Sequence, residues 1–307
     1  MKGVLTWIFS FVFIVFAISS IFFYFSPFET SEFVPQFDNT PKNYNFSSSG
    51  NENAQFYDNM RYPDKRISYR IDDSCNIQRK ADMESAFGKI EDLTTVDFYP
   101  VIEKEEISVF CEDKIKVEEN FFIAGEGGPT NITRTENFNV ISHGGILLLK
   151  NSDCENPNVA IHELLHAMGF SHSTNKNNIM FEVSKCGQTI GDDTINLINE
   201  IYSVESKADL SFENISAKMN GRYLDVNASM RNNGLADAGN STMTVYADGK
   251  KLKEVEVGEM KIGYGVTINM GNIFVSDMSV NEVKISINSS FDELDKKNNE
   301  AILNIKN

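Results

Sequence analysis

The run His162-Glu163-Leu164-Leu165-His166-Ala167-Met168-Gly169-Phe170-Ser171-His172 limits what this chain can fold into more than any other stretch. Three of the four histidines in the chain fall within these eleven residues. On a helix, His162 and His166 lie one turn apart and project from one face, close enough to share a metal ion. Gly169 allows a left-handed turn that a β-carbon would resist, so the helix stops and the chain returns with His172 as a third nitrogen. Three protein ligands on tetrahedral zinc leave a fourth position for water, which marks a catalytic site and not a structural one. Glu163, beside the first ligand, is the candidate general base. Five fixed positions in one run set this pattern apart from a bare H-E-x-x-H on a solvent-facing helix.

Charge narrows the partners. A formal net charge of -16 over 307 residues excludes the basic surface that nucleic-acid binding requires. The length accommodates about two domains with additional segments. From Gly3 to Phe25 no residue is charged, enough apolar chain to span a bilayer as a helix and too much for a signal-peptide core. Lys2 precedes this run and no Lys or Arg follows until Lys42. Residues 1–25 are therefore expected to form a transmembrane signal anchor, with the amino terminus cytoplasmic and the remainder extracellular. Cleavage after the small residues near Ala17-Ile18-Ser19, giving a secreted protein, is the alternative. Cys75, Cys111, Cys154 and Cys186 lack metal-knuckle spacing and suit two disulfides in an oxidising exterior. Three pairings are open. Cys75 with Cys111 and Cys154 with Cys186 is preferred, because the second bond would clip the entry of the zinc helix to the segment just after the site.

Residues 26–66 are rich in Asn, Ser, Phe and Pro and read as a stalk, although the scattered Phe33, Phe37, Phe46 and Phe56 suit packing on the domain that carries the zinc motif. From Ile67 the texture changes. Ile67 to Ile71, Val96 to Val101, Glu106 to Phe110 and Asn139 to Leu149 read as strands, and Gln78 to Leu93 carries apolar residues at helical spacing. Gly125 to Pro129 reads as a loop. A substrate is expected to lie along an edge strand near Ile146 to Leu149. His143, alone in its segment, is expected to be structural or on the surface. Asn177-Asn178-Ile179-Met180 is a turn ending in Met, and Gly191-Asp192-Asp193 opens a helix through Tyr202.

Taken together, residues 67–206 resemble the matrixins, a branch of the metzincin metalloproteases. The likeness rests on Ile67-Ser68-Tyr69-Arg70-Ile71 as their first strand, the full zinc motif, Ser173 after the third histidine, Met180 at the Met-turn and Gly191 to Tyr202 as the closing helix. It implies an α+β domain in which His162, His166 and His172 bind one catalytic Zn2+, Glu163 is catalytic, and Met180 forms a floor beneath the metal. A structural Ca2+ belongs to that resemblance but is unsupported by the residues, since of the additional histidines that animal matrixins carry only His143 remains. A propeptide cysteine is missing, since none precedes Cys75.

Residues 207–307 alternate like an all-β domain. Tyr223 to Met230, Met243 to Ala247, Leu252 to Val257, Val266 to Ile268, Val283 to Ile287 and Ala301 to Ile305 read as strands, with Asp248-Gly249 as a hairpin turn. The pattern is that of an Ig-like β-sandwich; with Asn232-Asn233-Gly234 and the run from Asp292 to Glu300 it resembles the microbial CARDB domains, which implies a cell-surface ligand or substrate contact. The whole reads as a membrane-anchored extracellular zinc endopeptidase acting on protein or peptide substrates. The competing reading is a surface adhesin with a non-catalytic metalloprotease-like domain.

Overall fold

The computed structural model describes residues 7, 11–18, 30–36, 44, 46, 54–114, 116–118, 121–151, 154–277 and 279–305. The expected transmembrane span lies largely outside them. Residues 11–18 are helical and mostly exposed, and among the described residues no helix is long and apolar enough to cross a membrane.

The domain expected to be catalytic is built on one twisted sheet. Strands β2 (Met60–Arg61), β3 (Arg66–Ile71), β4 (Asp97–Pro100), β5 (Ile107–Cys111) and β9 (Asn139–Leu148) run parallel in the order β2-β9-β5-β3-β4. Strand β8 (Gly125–Arg134) pairs antiparallel along the whole of β9, and a small hairpin of β6 (Lys116–Glu118) and β7 (Phe121–Ile123) precedes it. Helices α1 (Ile77–Leu93) and α2 (Asn158–Ala167) pack together against this sheet, and α3 (Asp192–Tyr202) closes the domain. Helix α1 starts at Asn76, whose side chain accepts from the Arg79 N–H, the expected chemistry of an N-cap. It buries Met83, Ala86, Phe87 and Ile90.

Two expectations change here. Gly125 to Pro129 is the first half of β8 and not a loop. The segment Ile146 to Leu149 is not at an edge, because β9 has β5 on one side and β8 on the other. The outer strand beside the metal motif is β8. Its glycines hid it, since glycine weakens the strand signal while permitting close backbone approach.

The C-terminal domain is a single antiparallel sheet folded over itself. Its strands are β1 (Thr30–Gln36), β10 (Leu210–Asn220), β11 (Tyr223–Asn232), β12 (Ser241–Ala247), β13 (Lys250–Val257), β14 (Gly265–Phe274), β15 (Glu282–Ser289) and β16 (Glu300–Ile305). They follow the order β13-β12-β15-β16-β1-β10-β11-β14. Leu224, Val226 and Ala228 pack into one core with Met243, Val245, Val283 and Ile285. Asp248 and Gly249 have φ of 43° and 78°, the paired positive values that a tight two-residue hairpin demands.

The segment expected as a stalk is largely structural. Strand β1 lies between β10 and β16, with Phe33 opposite both Ala217 and Ile305, and Phe33 is buried in the C-terminal core. From Ala54 the chain has crossed to the catalytic domain, where Met60 and Tyr62 are fully buried. The domains meet beside the β8–β9 turn. Phe138, Val140 and Leu235 share a small apolar cluster, and Arg231 donates to the Arg134 carbonyl. Arg61, also buried, donates to the Ile201 and Val204 carbonyls at the end of α3 and stacks over Tyr202.

Candidate metal centre

Helix α2 is enclosed nearly all round, with nine of its ten residues buried. Such a helix belongs in an interior. Its entry is fixed by the Cys154–Cys186 disulfide and by Asn158, whose amide donates to the Lys185 carbonyl. The other bond joins Cys75 to Cys111, between the start of α1 and the end of β5. Both pairings are the preferred ones.

The helix ends as Gly169 requires. Gly169 has φ +96°, its N–H bonds to the His166 carbonyl, and the Phe170 N–H reaches back to Leu165. That pair of bonds is a Schellman cap. A β-carbon on Gly169 would lie 2.5 Å from the Met60 sulfur, so space as well as conformation selects glycine.

This turn and the Met180 loop orient the imidazoles. His162 Nδ1 bonds to the Ile179 carbonyl at 2.7 Å, and His166 Nδ1 bonds to the Phe170 carbonyl at 2.7 Å. Since a carbonyl only accepts, each Nδ1 carries the proton and each Nε2 presents a lone pair. His166 Nε2 lies 2.9 Å from His162 Nε2 and 3.1 Å from His172 Nε2. Two lone pairs facing at 2.9 Å repel unless a cation lies between them. The donor set therefore fits zinc, with neutral imidazole nitrogens and fixed outer partners. Burial lowers all three histidines and brings His166 to about 4, with His162 adding to that shift, so the neutral donor form prevails at pH 7. Among the described residues no other group of three His, Cys, Asp or Glu side chains converges in this way.

Glu163 is buried, and its carboxylate lies against β8, where a β-carbon on Gly125 would come within 2.7–3.0 Å of it. A β-carbon on Gly127 would meet the Glu163 carbonyl at 2.2 Å. The two glycines thus let the outer strand touch the zinc helix. Without a cation, burial, with a lesser contribution from the Glu126 carboxylate, pushes Glu163 up to about 8; a metal ion held by the histidines would favour the ionised carboxylate.

Met180 is buried. Its N–H bonds to the Asn178 side chain and its carbonyl accepts from the Ser173 N–H, so this loop is tied to both the first and the third histidine. His143 is not part of the site. Its ring contacts Ser108 Oγ at 3.0 Å and Thr130 Oγ1 at 2.6 Å within the sheet. Sequence reasoning missed the contact that Gly125 and Gly127 make with the helix. The glycines stand out as a G-x-G at the start of β8, but nothing marked Glu163 as their neighbour.

Residues 54–194 match the family model for Astacin, a peptidase family, and residues 207–302 match that for CARDB. No curated protein matches the chain. Among solved structures, the CARDB domain of a Pyrococcus furiosus protein, in complex with di-metal ions, is similar at 14% identity and a TM-score of 0.28. That match covers 32% of this chain and 88% of the other. Astacins are metzincins, as matrixins are, and the matching branch is the astacin one. The matches describe a domain similar to a zinc-metallopeptidase family, followed by a CARDB domain.

Proposed function

We propose that this chain is an endopeptidase that hydrolyses extended protein substrates outside the cell, held to the membrane by residues 1–25. The observation that carries the reading is the convergence of three imidazole nitrogens beside a buried carboxylate that touches the outer strand of the sheet. His162, His166 and His172 hold the metal. Zinc bound there supplies Lewis acidity, lowering the pKa of a water and polarising the scissile carbonyl. Glu163 takes the proton from the attacking water and delivers it to the leaving amine nitrogen. Its position against Gly125 sets it between helix α2 and β8. A substrate strand added to the outer edge of β8 passes beside it, with backbone pairing for affinity. Phe181, Glu182 and Val183, directly after Met180, wall the pocket beyond the scissile bond, and Met180 underlies the histidines. The uncharged run Gly3 to Phe25 behind Lys2 supports the anchor, and two disulfides support an oxidising exterior. A purely adhesive protein would have no use for a buried carboxylate at this place.

The test compares the full-length chain with Glu163→Ala for zinc content and for turnover of an unfolded protein. The variant keeps about one zinc and loses hydrolysis by about 10² or more. Near-normal turnover by the zinc-loaded variant would sink the mechanism.

A further inference from the structure

The segment from Ala54 to Met60 runs directly over the turn that separates the second histidine from the third. The Phe56 N–H donates to the Gly169 carbonyl at 2.9 Å, and the Ser171 N–H donates to the Ala54 carbonyl at 3.0 Å. Between these bonds Gln55 pairs with Phe170 as an antiparallel bridge. The Gln55 side chain closes the segment on itself, donating to the Met60 carbonyl at 2.7 Å and accepting the Met60 N–H at 3.0 Å. Met60 in turn fills the space against Gly169. Phe56 stacks on the His166 ring, with centroids 5.7 Å apart and planes 23° from parallel.

Every one of these contacts bears on His166. The Phe170 carbonyl selects its tautomer, and the peptide groups on both sides of Phe170 are held by this segment. Phe56 covers a face of the ring itself. Yet Phe56 is 44% exposed, so it contributes little to the core, and its placement is better accounted for by the ring it covers.

We infer that Ala54–Met60 is a clasp on the metal centre and that Phe56 is a positioning residue for His166, setting how tightly the three histidines hold their cation. The inference rests on the proposed zinc site. Outer partners of a metal-bound histidine fix its direction and basicity, and their loss typically weakens metal binding by about 10- to 100-fold.

The experiment uses the full-length chain, Zn2+ with a competing chelator, and the visible absorption of the Co2+-substituted protein. Phe56→Ala and Gln55→Ala are each expected to raise the zinc Kd by about tenfold or more and to alter the cobalt ligand-field bands, with the melting temperature of Phe56→Ala little changed. Phe56→Tyr, which keeps the ring, restores parental affinity and spectrum. Parental zinc affinity and an unchanged cobalt spectrum in Phe56→Ala would overturn the inference, whatever happens to the fold of Gln55→Ala. A parent chain that binds no zinc overturns the site itself, and the clasp with it. A parent that binds zinc beside a Phe56→Ala chain that binds it equally well overturns the clasp alone.

Discussion

His162, Glu163 and His166 in the catalytic domain, and Asp209, Asn232 and Glu293 in the C-terminal domain, are all less than a tenth exposed. Their hydrogen bonds separate the two sets. Asn232 Oδ1 accepts the N–H groups of Asp209 and Gly234, and its side-chain amide donates to the carbonyls of Ala236 and Met260. Glu293 accepts from the Leu210 N–H, from the Ser289 hydroxyl and from the Asn299 amide. These groups are spent on turns and on the join between strands. The two catalytic-domain histidines use one nitrogen in this way and leave the other directed at a common point. Burial of polar groups is therefore shared by scaffold and site, and convergence of unshared lone pairs is what distinguishes the site.

The contrast can be broken at either end. His166→Ala should reduce bound zinc from about one to near zero, because two imidazoles are too few ligands. Amide hydrogen exchange in β10–β12 should not change. Elemental analysis with exchange mass spectrometry checks both, and undiminished zinc would remove His166 from the site. Replacing Cys154 and Cys186 together by Ser should destabilise the catalytic domain by about 3–4 kcal/mol, from the loop that the bond closes. Denaturant-dependent loss of peptidase activity reads this, and an unchanged midpoint would refute it.

Asn232→Ala should cost the C-terminal domain about 3 kcal/mol, since two N–H groups and two carbonyls lose their partner, while zinc content and turnover stay parental. The smallest effect concerns Asp209. Burial is the chief reason that its carboxyl rises to about 6; the Asn298 amide opposes the shift, and Glu293 and Asp295 add to it. Below about pH 6 the native state then holds a proton that the unfolded chain releases near pH 3.9. Native protein binds more protons in that window, so this group's contribution to stability falls as pH rises from about 4 to 6 and stays absent above. Asp209→Asn should flatten that slope and stabilise the C-terminal domain at pH 7 by up to about 3 kcal/mol. Exchange protection in β10 measured at pH 4 and pH 7 decides it.

The zinc motif was legible because everything it needs lies within a few helical turns: two histidines four apart, a glycine and a third histidine. The strands of the C-terminal domain were legible for a similar local reason, with Tyr223–Asn232 alternating buried and less buried residues along its whole length. What escaped is tertiary. Strand β8 begins G-E-G-G-P, which reads as a loop, and the closeness of Glu163 accounts for Gly125 and Gly127. Phe56 looks like one aromatic among several in a polar stretch until its partner, far onward in the chain, is in place. Strand β1 carries Pro35 and has its neighbours at the far end of the chain, so no local period announces it.

That last pairing has a consequence for the order of synthesis. Phe33 is made long before Ile305, the residue it faces. The catalytic domain, complete by Tyr202, can collapse on its own contacts while the C-terminal strands are still emerging. Strand β1 must meanwhile wait unpaired, its apolar residues exposed, until β10 and β16 exist to receive it. Pairings of such long range close slowly because the loop entropy comes due before the contact is made. A chain released before residue 300 would have its catalytic sheet but lack β16, leaving the C-terminal sheet open between β15 and β1, each with a free edge able to capture a neighbouring chain.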